Sequence, residues 1–419
     1  AHDVFKEMGS KTIKDFGKKD VIIYDLKYVL PKEDSDLRLW HPKKKLFIIG
    51  AFPQNKKKTI YGGQITACRS LINSIYLKDF ETITLDSTAI SNPPPRFIIR
   101  LFLASKRFLN YILKLKLIKP DVVLLFTADK SSAIEKGLMI LISKLLNIPV
   151  MVFPRAGALK DQYLNNKLFK IFLNFTFSKA DVFLCQGKSF QEFAIKELNF
   201  SPRSAPIIPN WTAQPKLLEI GKKKITHTKK GQNNILFMGW LEEFKGVKEI
   251  LEAIKLLKGK EYKFHLYLAG DGNARNFSQN FIKNNSLKTY VTLLGWINEK
   301  EKKELLSKSN IFLLPSWNEG LPNAMIEAMS AGLSCIVSNV GMIPDYTSHE
   351  VNALLINPKS TNEVFNSLEK LLKDTSLQKK LSKNAYLFAQ DNFTQHNGLK
   401  LLRTEIKKLI KKTQIWKKN

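Results

Sequence analysis

The chain has 419 residues, a hydrophobic fraction of 44% and a formal net charge of +30. That length exceeds one ordinary core and suits two domains with an appendage, and the apolar fraction excludes wholesale disorder. Cys68, Cys185 and Cys335 are too widely spaced for a metal-ligand motif or a disulfide framework, which fits a reducing cytosol, and no apolar run approaches the roughly 20 residues that span a bilayer. The positive charge points to nucleic acid, an anionic membrane surface or phosphorylated substrates, or simply to a Lys-, Asn- and Ile-rich composition on solvated faces. The chain opens on Ala1 without a secretory signal, which reads as a fragment or a processed product.

Residues 1–40 read as a polar helix, a strand-like run over Val21–Leu30 and a charged turn. From about residue 44 short apolar runs alternate with helical patterns, as parallel strands buried on both faces do. Strands are predicted at Leu46–Ala51, Glu81–Leu85, Asp121–Phe126, Pro149–Phe153 and Asp181–Cys185, with helices at Gln64–Tyr76, Arg96–Leu117 and Ala133–Leu146. The lysine-rich stretch Gly221–Asn234 reads as a linker or exposed loop. Strands then resume at Ile235–Phe237, Phe264–Leu268, Tyr290–Leu293, Ile311–Leu314 and Ser334–Val337, with helices at Val247–Leu257, Glu299–Ser307, Pro322–Ala331 and Thr361–Lys373. Asn397–Lys412 reads as a long basic helix. The expected architecture is α/β, with two Rossmann-like doubly wound domains at 44–214 and 215–395 facing a cleft, a tail at 1–40 and a basic helix at 396–419. Ligands of such sheets sit at the carboxyl ends of the strands.

The richest stretch is Pro315–Gly332, PSWNEGLPNAMIEAMSAG. Gly320 and Pro322 break the chain after a strand, and Pro322 suits the first helical position. The N–H groups of Asn323 and Ala324 then form an anion site at the positive end of the helix dipole. Glu327 lies one turn along on the same face among Met325, Ile326, Ala328 and Met329, where a carboxylate needs a partner. Ribose hydroxyls behind a bound phosphate would supply one. Glu319 precedes the helix, beside the place a donor sugar would take. The plain alternative is two solvated charges, which the apolar surroundings disfavour.

Glu319 and Glu327 within EGLPNAMIEAMSAG resemble the paired-glutamate signature of the retaining GT-B glycosyltransferases, the glycosyl transferases group 1 type. The resemblance covers about residues 44–395 and is strongest over 235–358. FMGWLEEFKGVKEILEAI resembles the strand–loop–helix that holds the donor diphosphate, with Gly239 in its loop; Ala269–Gly272, with Gly270 and Asp271, resembles the strand-end turn; Gly295, Trp296 and Ile297 resemble the segment whose backbone meets the base. The resemblance implies that Glu327 holds the ribose, that Glu319 holds donor-sugar hydroxyls, and that the N–H groups of Gly320, Leu321, Asn323 and Ala324 receive sugar and phosphate oxygens. Lys245, at a strand end, is expected to stabilise charge on the departing diphosphate, the alternative being a surface lysine. Gly62-Gly63 resembles the diglycine loop near the donor phosphates, and a plain turn explains it as well.

Two positions depart from that pattern. The family carries arginine where this chain has Trp240, and many relatives carry a histidine where this chain reads Pro154-Arg155-Ala156-Gly157. Arg155 is either a donor or acidic-acceptor contact or a surface arginine. The implied activity is a metal-independent, cofactor-free, retaining hexosyltransferase. It moves a hexose or N-acetylhexosamine from a nucleotide diphosphate sugar, with UDP favoured, to a lipid-linked saccharide of capsule, O-antigen or other surface polysaccharide. The alternative is a catalytically degenerate GT-B sugar-binding or scaffold protein at the membrane. Asp34-Ser35-Asp36 mimics a metal motif but lies outside both expected sheets.

Residues 1–40, with YDLKYVLP and DLRL, resemble the closing helix and strand of a UDP-N-acetylhexosamine 6-dehydrogenase without its catalytic parts, and this likeness favours a UDP donor. Residues 41–210 hold 26 Lys/Arg against 10 Asp/Glu. Within them Arg96–Lys119 mixes seven basic residues with many large apolar ones, which suits either a helix lying on an anionic bilayer or a core-packed helix with its lysines outward. Docking is expected, and with it a cytoplasmic, peripheral place on the inner face of a bacterial plasma membrane. Neither a zinc finger nor an RNP-like aromatic motif is present to support nucleic-acid binding.

Overall fold

A computed structural model of the chain describes residues 2–17, 21–25, 30, 37–38, 43–52, 62–88, 95–226, 233–260 and 262–416. The chain divides into two compact units, residues 1–44 and 45–419. In the first, helix His2–Asp15 is interrupted at Gly9, whose φ of 72° only glycine adopts freely. There β1 (Tyr24–Asp25) pairs in parallel with β2 (Leu37–Arg38). Asp34-Ser35-Asp36 and most of YDLKYVLP lie outside the described residues.

The second unit holds two sheets. One contains β3 (Lys44–Gly50), β4 (Phe80–Asp86), β5 (Val122–Thr127), β6 (Val150–Pro154) and β7 (Val182–Phe183) in the order β4-β3-β5-β6-β7. The other contains β8 (Asn233–Met238), β9 (Phe264–Ala269), β10 (Val291–Gly295), β11 (Ile311–Leu314), β12 (Ser334–Ser338) and β13 (Leu354–Ile356), all parallel, in the order β10-β9-β8-β11-β12-β13. The strands read as apolar runs because both faces are covered. In β3, Phe47 and Ile49 face a core shared with Tyr111, Leu115 and Ile140, whereas Leu46 and Ile48 face one shared with Cys68, Leu71, Leu402 and Ile406.

The last pair of residues belongs to helix Gln395–Trp416, which returns to the first sheet. Gln395 Nε2 donates to Ser70 Oγ at 2.9 Å, and Arg403 and Lys407 pair with Asp79. The predicted basic appendage is thus part of the N-terminal core. The predicted linker at Gly221–Asn234 is corrected at both ends, since helix Pro215–Thr226 continues to Thr226 and β8 begins at Asn233; residues 227–232 lie outside the described residues. Gly221 permits this: a Cβ there would stand 2.3 Å from the Ser330 carbonyl, so the helix packs backbone against backbone. Among the described residues no helix is long and apolar enough to cross a membrane.

Candidate active site

Helix Asn323–Ser330 follows β11 and points its head into the cleft between the sheets. Pro322 stands just before it with φ −73° and ψ 121°, one position earlier than predicted, so Asn323 is the first helical residue. The opening N–H groups of a helix have no intrahelical acceptor, so Asn323 and Ala324 present donors there. Buried Met325, Ile326, Ala328 and Met329 lock the helix in place, and Gly332, at φ 68°, ends it.

Glu327 is buried on this helix. Its partner is Lys302, a residue the motif does not announce, whose Nζ reaches Glu327 Oε1 at 2.8 Å and Glu299 at 2.9 Å. Burial pushes the Glu327 carboxyl above its ordinary value against the pull of Lys302. The same burial draws Lys302 down, but Glu327 and Glu299 carry it above its ordinary value. Helix Glu299–Lys308 is itself fixed by a capping box between Asn298 and Glu301.

Glu319 is 8% exposed and is reached by Lys245 Nζ at 2.6 Å and Ser316 Oγ at 2.8 Å, both on Oε1. Lys245 comes from the turn Glu243–Lys245 after β8, closed by Gly246 at φ 74°, where a Cβ would lie 2.3 Å from the Pro315 carbonyl. Trp317 N donates to Phe244 O at 2.7 Å, so the Lys245 and Glu319 loops are fastened together. Each glutamate is therefore anchored through Oε1, and neither Oε2 has a protein partner among the described residues. The Glu319 carbonyl is pinched between Gly157 and Gly341, at each of which a Cβ would stand 1.9 Å from its oxygen.

Residues 220–388 match the family model of glycosyl transferases group 1. The matched stretch spans the second sheet, from β8 to β13. It is 31% identical over 202 residues, 46% of its own length and 52% of the relative's, to the Escherichia coli UDP-Gal:alpha-D-GlcNAc-diphosphoundecaprenol alpha-1,3-galactosyltransferase. The chain spans about half the length of the curated relatives it matches first, between 42% and 60%. Its fold is that of sucrose-phosphate synthase from Thermosynechococcus elongatus (TM-score 0.69, 15% identity, 88% of this chain and 99% of that one). Anabaena HepE in complex with UDP shares it as well (TM-score 0.62, 13% identity, 88% of this chain and 100% of that one). Both neighbours support a GT-B arrangement of the two sheets.

Within the matched residues the strand ends of β8, β9 and β10 are drawn together by glycine. Gly270 N donates to Gly295 O at 2.8 Å, and a Cβ on Gly270 would fall 1.7 Å from Gly239 O. Over this knot Trp240 and Trp296 meet edge to face with centroids 4.6 Å apart, so the position expected to carry arginine belongs to an aromatic pair. Asp271 is engaged by Gly272 N at 2.8 Å and Arg275 Nη1 at 3.2 Å, and Ile297 is half-buried against the core.

Outside the matched residues, Gly63 reaches the helix head: its carbonyl accepts from Asn323 Nδ2 at 3.2 Å, while Gly62 faces open space. Asn210, buried and unforeseen, donates through Nδ2 to Leu321 O at 2.8 Å and Asn323 Oδ1 at 2.7 Å, and accepts from Gln186 Nε2. Gly320 accepts from Met342 N at 3.2 Å. Arg155, at the end of β6, lays its guanidinium 5.0 Å from the Phe153 ring and 5.2 Å from that of Trp211. Its Nη1 is buried with no hydrogen-bond partner, and burial draws the group down to about 10. The residue as a whole is half-buried, with its guanidinium packed on these two rings. A buried donor of this kind is costly without an acceptor, which makes it a candidate anion contact at the cleft.

Proposed function

We propose that the chain is a retaining glycosyltransferase that moves a hexose or N-acetylhexosamine from a UDP-sugar to a lipid-linked saccharide in surface-polysaccharide synthesis. The observation that carries this reading is the pair of buried glutamates around one helix head, each neutralised by a lysine at Oε1 and each with Oε2 left for a ligand. Glu327 Oε2 would accept the ribose hydroxyls, and Glu319 Oε2 a hydroxyl of the donor sugar. The N–H groups of Asn323 and Ala324 would receive the diphosphate, with Gly63 close enough for backbone contact. Lys245 would stabilise charge on the departing diphosphate, a role that needs no metal and no cofactor. The donor then opens through an oxocarbenium-like transition state, and the leaving phosphate oxygen takes the acceptor proton on the same face, so configuration is retained. Arg155 would hold an anionic group of the acceptor.

UDP is favoured on two grounds: the likeness of residues 1–40 to a UDP-sugar dehydrogenase tail, and the UDP-linked names of the relative and of one structural neighbour. The lipid-linked acceptor is inferred from the diphosphoundecaprenol substrate named for the Escherichia coli relative. The test is release of UDP from a panel of UDP-hexoses and UDP-N-acetylhexosamines with a polyprenyl-diphosphate saccharide acceptor, with the product anomer read by NMR. An α-linked product from an α-donor supports the reading. Inversion, or no release with any donor and no nucleotide binding, would replace it with a different mechanism or with a degenerate scaffold.

A further inference from the structure

We propose that three neighbouring helices of the N-terminal half form one docking face for an anionic lipid bilayer. The first is Phe97–Ile118. It is held to the protein by buried Tyr111 and Leu115, while the opposite side presents Ile98, Phe102, Leu109 and Leu113 at helical spacing. Ile98 and Phe102 are 79% and 67% exposed. A helix that covered a core would place such residues inward.

The face continues past this helix. Helix Lys130–Leu145 lies beside it, joined by the Arg107–Glu135 ion pair at 2.5 Å and by Tyr111 bonding to Ser143, and it exposes Ile134 and Leu138. Helix Lys167–Thr176 lies on the far side, where Gly137 allows Phe172 and Thr176 to close in. Leu168, Ile171 and Phe175 recur along its outer side, with Leu168 79% and Phe175 61% exposed. An apolar surface repeated over three adjacent helices is more than scattered exposure and marks an interaction site.

Charge selects the occupant. Residues 96–180 hold fifteen Lys/Arg against four Asp/Glu, and setting aside the buried Lys136 and the cleft residue Arg155 leaves thirteen. Each of the four carboxylates is met by a partner within the chain: Asp121 by Lys45 N, Asp129 by Gln162, Glu135 by Arg107, and the exposed Asp161 by Asn318. The face therefore offers apolar side chains among cations with few counter-charges, the pattern that suits acidic headgroups over an acyl layer. A second copy would bring the same positive charge against it and be repelled. The first two helices begin at the carboxyl ends of β4 and β5, the sheet edge that also carries Arg155. A docked face would thus set the acceptor side of the cleft beside the bilayer. That last step alone rests on the proposed function.

The test is co-sedimentation of the full chain with phosphatidylcholine vesicles, with and without phosphatidylglycerol. Two variants are compared, I98Q/F102Q and L168Q/F175Q, each checked for a retained thermal shift with UDP. The proposal expects binding only when phosphatidylglycerol is present, weakened by salt and reduced on the order of tenfold or more in each variant. Three results overturn it: no binding to anionic vesicles, no effect of L168Q/F175Q, or a dimer in solution that the substitutions split in the absence of vesicle binding. Vesicle binding without any UDP shift upholds this surface and sinks the donor site, so the two readings fail separately.

Discussion

The two halves of the second unit use similar amphipathic helices in opposite ways. Helix Val247–Lys258 turns Val247, Ile250, Leu251, Ile254 and Leu257 into the C-terminal core. Helix Phe97–Ile118, with 22 residues against 12, buries only Tyr111 and Leu115 and leaves its larger apolar side chains to solvent. The contrast extends to charge. In the C-terminal half Glu319 and Glu327 are buried and each is held by a lysine, Lys245 and Lys302, whereas the N-terminal half carries exposed cations around an apolar face, with Lys136 as a buried exception. A molecule built this way keeps its proposed chemistry inside one half and its proposed contacts with the surroundings on the surface of the other.

That contrast can be broken at defined residues. The largest expected effect is at Lys245: Lys245→Ala should lower turnover roughly 100- to 1000-fold in a donor-saturated assay, with a smaller change in melting temperature. Equal losses of fold and turnover would make it a structural ion pair. Next is Gly157→Ala, which drives a Cβ into the Glu319 carbonyl and should cost about 1–3 kcal/mol by chemical denaturation. An unchanged midpoint would mean that the halves do not close at this point.

Arg155→Met sharpens the comparison, because it removes a half-buried cation whose buried Nη1 has no hydrogen-bond partner. It should raise the acceptor KM about tenfold while leaving the melting temperature equal or higher. A lower melting temperature with an unchanged KM would assign Arg155 to structure alone. A pH-dependent effect is expected at Lys224, which donates to the carbonyls of Leu306 and Ser309 and which burial draws down to about 7 from 10.5. The unfolded chain keeps this proton up to about pH 10.5 and the folded chain only to about pH 7, so stability gains as pH rises through that window. Lys224→Met should flatten that rise in a pH series of denaturation midpoints.

The sequence announces those parts of the site that depend on one contiguous pattern. A strand, a glycine and proline break and two glutamates on an otherwise apolar helix locate Glu319, Glu327 and the helix head. Lys245 follows from its strand-end position. What brings distant segments together is not legible in the same way. Lys302 stands in EKEKKELLSK, where nothing distinguishes one lysine from its neighbours until the fold turns it toward Glu327. Gly157 and Gly341 resemble ordinary turn glycines, and only the packed structure shows the Glu319 carbonyl between them. Asn210 bridges the halves through a side chain with no local signature. Helix Pro215–Thr226 was hidden by its lysines, because it is held mainly by Leu217 and by Gly221 against a neighbouring backbone. Helix Gln395–Trp416 looks basic and separate for the converse reason: its lysines are plain in the sequence, but the sheet that receives Leu402 and Ile406 lies more than two hundred residues earlier.

The proposed donor site at the head of helix Asn323–Ser330 is tested most directly by a thermal-shift panel with UDP, GDP, ADP and CMP on the wild type and on Glu327→Ala. At about 100 times its dissociation constant, UDP should stabilise the wild type by roughly 2.7 kcal/mol. Glu327→Ala should weaken that binding about ten- to hundredfold, as expected for loss of a charged hydrogen-bond acceptor, and the other nucleotides should do little. An equal UDP shift in both proteins, or none in the wild type, would contradict the assignment of Glu327 and with it the donor site.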